Sequence, residues 1–191
     1  VKESQYFYRK REDQSSTLDT SWADLGKFDN VLRYGHLAML QKYHNEYGKV
    51  PQFIQRTTLY DIAWYLKYLL NEDTRTSHLT SEQKETFLNL LNEIFQYIDV
   101  ETIHAFNLAG VWFKQKVGLL GLFKQKPTSN QIIYIENFDK DKKQIKLSFF
   151  SHFDAHFVCK LNGVEIIPTH FKRVENTFVG QNFVQEHMIW L

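Results

Sequence analysis

"GLFKQKPTSNQIIYIENF", residues 121–138, separates two kinds of periodicity in the chain. Before Pro127 the apolar residues recur every three or four positions; after it they recur every two. A period near 3.6 puts side chains on one face of a helix, and a period of two puts them on one face of a strand. The change predicts an α+β chain: a helical subdomain of four to five helices over residues 28–126, then a small antiparallel β-sandwich or barrel over residues 127–191. Residues 1–27, polar and irregular with a Ser/Thr cluster, stand apart from both.

Upstream of Pro127 the helices can be placed one by one. Leu32, His36, Leu40, Tyr43 and Tyr47 share a face and predict a helix over residues 29–47, with Gly48 as its stop. After Pro51 a second helix runs to about Leu70, with Leu59, Ile62, Ala63, Leu66 and Leu69 on one stripe and Tyr60, Trp64 and Tyr68 on another. Two apolar stripes imply a helix held between layers. In "LTSEQKETFLNLLNEIFQYID", Thr80 and Gln83 have capping-box spacing, and Phe87, Leu91, Ile94 and Ile98 form the buried face. Asp99 can cap a short helix reaching Phe106. The three glycines in "GVWFKQKVGLLGLFKQK" argue against a regular helix there.

Downstream, "QIIYIENF" and "QIKLSFF" flank the charged turn "DKDKK", and "AHFVCKL" and "VEII" flank Asn162-Gly163. Asn-Gly favours a type I′ hairpin, because both central residues need positive φ. Further strands are expected near residues 171–174 and 183–190.

Composition bounds the function. The 191 residues carry a formal charge of +1, which gives no basic field for nucleic acid. The single Cys159 excludes an internal disulfide and a Cys-based zinc cluster, and fits a reducing cytoplasm. No apolar run reaches the length of a membrane-spanning helix. Both ends read as cut, as in a piece of a larger polypeptide.

The irregular start, "YFYRKREDQSSTLDTSW", gathers Arg9, Lys10 and Arg11 with Ser15, Ser16 and Thr17. Guanidinium forks match phosphate oxygens and hydroxyls can complete the shell, so Arg9, Arg11, Ser15 and Ser16 are candidate donor-diphosphate ligands; the alternative is a solvated basic turn. This stretch resembles the closing segment of family 2, GT-A-type glycosyltransferase domains. "YGKVPQFIQRTTLYDIAWYLKYLL", the Thr80 helix and "NLAGVWFKQKVGLLGLFK" resemble the region that follows such a domain in multidomain bacterial polymerases of capsule or teichoic-acid type. The resemblance is firmest over residues 47–123. It implies an accessory, non-catalytic fragment that works beside an upstream GT-A domain and a further downstream domain. It also implies that a nucleotide-activated donor and a divalent cation (Mg or Mn) are bound by the parent and not by this fragment, with a cytoplasmic location at the inner face of the membrane.

Other residues carry two readings each. Asp61 in "LYDIAWYL" is either half of a structural salt bridge, with Arg33 or Arg56 as partner, or, with Trp64, an acceptor-sugar contact. Trp112, Phe113, Lys114, Lys116 and Phe123 combine aromatics with cations as a membrane-interface helix does, yet the same residues could fill the seam between helices and strands. His152, Asp154 and His156 would share a strand face as exposed polar groups, and Asp139-x-Asp141 reads as a solvated turn; no metal is assigned to either. Phe149, Phe153 and Phe157 alternate and could stack on sugars, which would make the β module a carbohydrate-binding module; a third possibility is an oligomerisation element.

Overall fold

A computed structural model describes residues 21–191, and the chain is α+β. The helical part comprises α1 (Leu25–Phe28), a π-helix (Val31–Leu37), α2 (Ala38–Tyr47), α3 (Gln52–Leu69), α4 (Ser81–Gln96), α5 (Val100–Ala105) and α6 (Phe113–Lys124). Six strands follow: β1 (Tyr134–Asp139), β2 (Gln144–Ser151), β3 (Cys159–Leu161), β4 (Val164–Ile166), β5 (His170–Phe178) and β6 (Gln181–Trp190).

Local chemistry explains most boundaries. Thr80 and Gln83 form the capping box: the Gln83 amide donates to Thr80 Oγ1 at 3.2 Å and the Thr80 amide to Gln83 Oε1 at 2.8 Å. Gly48 ends α2 in the left-handed region, at φ 74°. Asn162 and Gly163 turn the β3–β4 hairpin with φ of 51° and 82°. Asp99 precedes α5, but its side chain does not cap it. Its carboxylate instead accepts from Gln55 Nε2 at 2.8 Å, while its amide donates to Gln55 Oε1 at 2.7 Å. Gln55 is buried, and this pairing satisfies both ends of its amide.

Two further expectations, both about helices, need correction. The single helix over residues 29–47 is divided, because its first part winds as a π-helix in which the Ala38 amide reaches back to the Arg33 carbonyl. The stretch with three glycines is nevertheless a regular twelve-residue helix, α6. A Cβ at Gly118 would collide with the Phe183 ring, and one at Gly121 with the His152 ring, so two of these glycines let β6 and its neighbours approach the helix backbone.

The strands form an open antiparallel sheet in the order β1-β2-β6-β5, and β3 and β4 form a separate two-stranded sheet. β6 and β2 pack against α6. One continuous core runs from Phe28 and Leu32 through Phe87, Phe95 and Phe123 to Phe178, Phe183 and Val184. Phe95 and Phe123 stack face to face at 4.6 Å. Asn71, beyond the end of α3 with φ 58°, fastens the helices to β5. Its amide donates to the Thr177 carbonyl (2.9 Å), its Oδ1 accepts from the Thr177 amide (2.8 Å), and its Nδ2 donates to Asn176 Oδ1 (2.8 Å).

Candidate functional site: an aromatic cleft at Asp61

Asp61, Trp64, Tyr65 and Tyr68 lie at i, i+3, i+4 and i+7 on α3, so one face of the helix carries a carboxylate and three rings. Trp22, Lys27 and Val31, from the turns before the π-helix and its first residue, form the other wall. Between them is a cleft of about 290 Å³. Trp64 and Tyr68 lie 6.4 Å apart with planes 28° from parallel, and Trp22 meets Tyr68 at 4.6 Å and Tyr65 edge-on at 5.4 Å. The buried Tyr65 closes the end of the cleft, its hydroxyl donating to the Lys27 carbonyl at 2.7 Å. Burial first, and then the Asp61 charge, push that phenol far above its ordinary pKa, so it stays a donor.

The partner of Asp61 is His36, neither of the expected arginines. His36 Nε2 lies 3.0 Å from Asp61 Oδ2. Arg33 turns back along its own helix to Asp29 at 2.8 Å, the i, i+4 neighbour. Arg56 reaches the Ala105 carbonyl at 3.5 Å and lies over the Phe106 ring. His36 sits on the π-helix, a widened turn of the kind that recurs at functional sites. Its side chain is 9% exposed against 52% for Asp61, so a buried imidazole steadies a carboxylate that faces solvent. The bond from His36 holds Asp61 below the usual carboxylate range, against the opposing effect of burial and with a smaller contribution from the Lys27 charge.

Lys27 completes the polar set. Its ammonium lies 4.0 Å from the Trp22 ring centre and donates to Ser21 Oγ at 3.1 Å. Partial burial lowers its pKa, while Asp61 and Asp24 pull it back up. Lys67 and Arg75 rest on the outer rings, 4.8 Å from the centre of Trp64 and 4.9 Å from that of Tyr68. A larger hollow of about 480 Å³ between α4 and α6 has Lys84, Glu85, Asn89 and Asn92 on its wall, but its Phe123 is already stacked on Phe95.

Of the residues singled out in the sequence, Asp61 and Trp64 come together in this cleft, whereas Arg9, Arg11, Ser15 and Ser16 lie outside the described residues. The five membrane-interface candidates do not form one surface. Lys116 is buried and donates to the His104 carbonyl (2.5 Å) and Asn107 Oδ1 (2.7 Å), and Phe123 is in the core. Phe113 packs partly buried against that core, and Lys114 reaches Glu186 at 3.4 Å, leaving Trp112 as the exposed member at 74%. His152, Asp154 and His156 occupy an irregular segment after β2 and not a strand. His152 Nδ1 contacts the Phe183 carbonyl at 2.8 Å and Asp154 lies 3.9 Å from Arg173. Phe149 is buried against His187, ring centres 4.6 Å apart, so it is no open platform for a sugar.

Trp22, Lys27 and His36 escaped the sequence reading as members of this site. Trp22 lay in a stretch read as irregular, and His36 read as one more residue of an apolar helix face. The usable signal was Asp61 itself, a carboxylate between an aliphatic and an aromatic stripe that demands a partner from a neighbouring element.

Among known proteins the chain is similar to two from Bacillus subtilis (strain 168). It is 33% identical over 103 residues to the minor teichoic acid biosynthesis protein GgaB, across 54% of this chain and 11% of that relative. It is 29% identical over 103 residues to the minor teichoic acid biosynthesis protein GgaA, across 54% of this chain and 23% of that relative. The chain thus spans less than a quarter of the length of either relative. No family model matches it, and no solved structure does. Both relatives agree with the teichoic-acid part of the resemblance noted above; neither bears on its GT-A part. No helix among the described residues is long and apolar enough to cross a membrane.

Proposed function

We propose that this chain is an accessory region of a cell-envelope polymer glycosyltransferase, building a polymer of teichoic-acid or capsule type from nucleotide-activated donors. The names of the two similar proteins support the polymer-synthesis part of this reading. Transfer itself, with its divalent cation, belongs to a GT-A domain of the same polypeptide. The helices here hold the segment bearing Arg9, Arg11, Ser15 and Ser16 beside that domain, on the cytoplasmic side of the membrane.

The observation that carries the reading is the anchoring of Trp22. Its ring is held by Phe28, Tyr65, Tyr68 and the Lys27 ammonium, five residues after Thr17. On this reading, a held Trp22 gives the arginine-bearing segment a fixed near end. The cleft chemistry favours holding over proton transfer: a carboxylate kept below its usual pKa is a weak base near neutrality.

Kinetics of the full-length enzyme test this. Deleting residues 6–17, or changing Trp22→Ala, raises the KM for the nucleotide-activated donor or abolishes turnover. Unchanged donor kinetics in both variants would overturn the assignment.

A further inference from the structure

The Asp61 cleft has the composition of a site for a single hydroxyl-rich ring. We propose that it binds one uncharged pyranose unit of a glycan, seated against Trp64 and Tyr68 and hydrogen-bonded by Asp61 and Lys27. The inference deepens the polymer-synthesis reading, from which it takes the glycan as ligand class; the site itself rests on the geometry of the cleft.

Four features select this ligand. The volume, about 290 Å³, is at the small end of ligand pockets, which suits one ring and not a nucleotide-sugar. The aromatic wall gives apolar surface to the C–H face of a pyranose, while its rigid rings lose little entropy on contact. The polar groups are of complementary kinds. A carboxylate only accepts hydrogen bonds and an ammonium only donates them, whereas every sugar hydroxyl does both. Finally, the two charged residues that line the cleft, Asp61 and Lys27, cancel, so a phosphate would gain from Lys27 and be repelled by Asp61, while Lys67 and Arg75 lie outside the lining, on the rings of Trp64 and Tyr68.

The site is also pre-arranged. His36 occupies Asp61 Oδ2 and leaves Oδ1 without a hydrogen-bond partner among the described residues. Because His36 is buried in the π-helix, the carboxylate is oriented before a ligand arrives, which lowers the entropic cost of binding. His36 acts here as a positioning residue.

The four tryptophans make the test specific, since each gives one indole N–H resonance. The whole chain is titrated with methyl glycosides of glucose, galactose, N-acetylglucosamine and N-acetylgalactosamine, and separately with glucose 1-phosphate. At least one glycoside shifts the Trp22 and Trp64 resonances saturably and leaves those of Trp112 and Trp190 in place. Asp61→Asn weakens that binding about tenfold, as loss of a charge-assisted hydrogen bond should. Trp64→Ala removes it, while unshifted Trp112 and Trp190 peaks confirm that each variant is folded. The proposal fails if no glycoside shifts Trp22 and Trp64, if both variants bind as well as the parent, or if glucose 1-phosphate binds more tightly than every neutral glycoside. Its failure is separable from that of the function above. Absent shifts with an intact donor effect sink the ring site alone, and shifts that persist without any donor effect sink the donor-segment reading alone.

Discussion

Asn71 ties the end of α3 to β5. At φ 58° it occupies the left-handed region, which Asn tolerates better than most side chains, and it uses backbone and side chain together to grip Asn176 and Thr177. Asn71→Ala leaves Asn176 Oδ1 and the Thr177 amide without their Asn71 partners, and we expect a loss of about 1–3 kcal/mol in denaturant unfolding. Asn71→Gly keeps the backbone at no steric cost, so a smaller loss than for Ala would isolate the strain. His187 offers a pH test. It is stacked on Phe149, contacts Ser151 Oγ at 2.7 Å, and is held below its ordinary pKa of 6.5 by burial first and by Arg173 second. The unfolded chain takes up a proton that the native imidazole resists, so the stability tied to this group is complete above 6.5. It falls as the pH drops from there to the depressed native value, and levels off below. His187→Phe keeps the stack and removes the titration; its fall in Tm from about pH 7.5 to about pH 5 should be smaller than that of the parent. Equal falls would show that His187 titrates alike in both states. Neither role was visible in sequence, because an Asn past a helix and a His within a strand name no partner.

At the scale of elements, what sequence made legible was whatever acts within a few residues. The Thr80–Gln83 box, the Gly48 stop, the Asn162-Gly163 turn and the two periods depend on neighbours, and each stands where local chemistry put it. The glycines of α6 misled because intrinsic propensity treats them as weak points. In place, Gly118 and Gly121 are contact surfaces, covered by Phe183 and His152. Packing outweighs a propensity cost of about 1 kcal/mol per glycine. Gly118→Ala, a substitution that improves most helices, should therefore destabilise this one by about 1–3 kcal/mol through overpacking. Adding Phe183→Leu to make room should recover part of that loss, so the two changes together would cost less than their sum. Strict additivity in a thermal or denaturant cycle would show that Gly118 and Phe183 are not in conflict. The cleft at Asp61 follows the same logic. The α3 spacing placed a carboxylate and rings on one face, but the π-helix that brings up His36 is a departure from regular winding that periodicity does not encode.

At the scale of the whole molecule, the break in periodicity after Pro127 locates the change from helix to strand without dividing the core. Phe178, on β5, has its ring 6.1 Å from Phe87 on α4, 6.5 Å from Phe123 on α6 and 5.9 Å from Phe183 on β6. Contacts of this reach join residues far apart in the chain, as Asn71 and Asn176 do across 105 positions, and no local pattern predicts them. Phe178 is fully buried, so Phe178→Ala should cost about 3–5 kcal/mol, the transfer free energy of the ring plus the cavity it leaves. Because the ring is shared, the loss should not stay in the sheet. In native-state hydrogen exchange the slowest amides of α4, near Leu91, and of β6, near Val184, should lose protection together and by the same free energy. Helical protection that survived while that of the strands collapsed would mean two separately stable units. Joint loss would mean that the platform bearing Asp61, Trp64 and Tyr68 is held in shape by the sheet on the far side of the core.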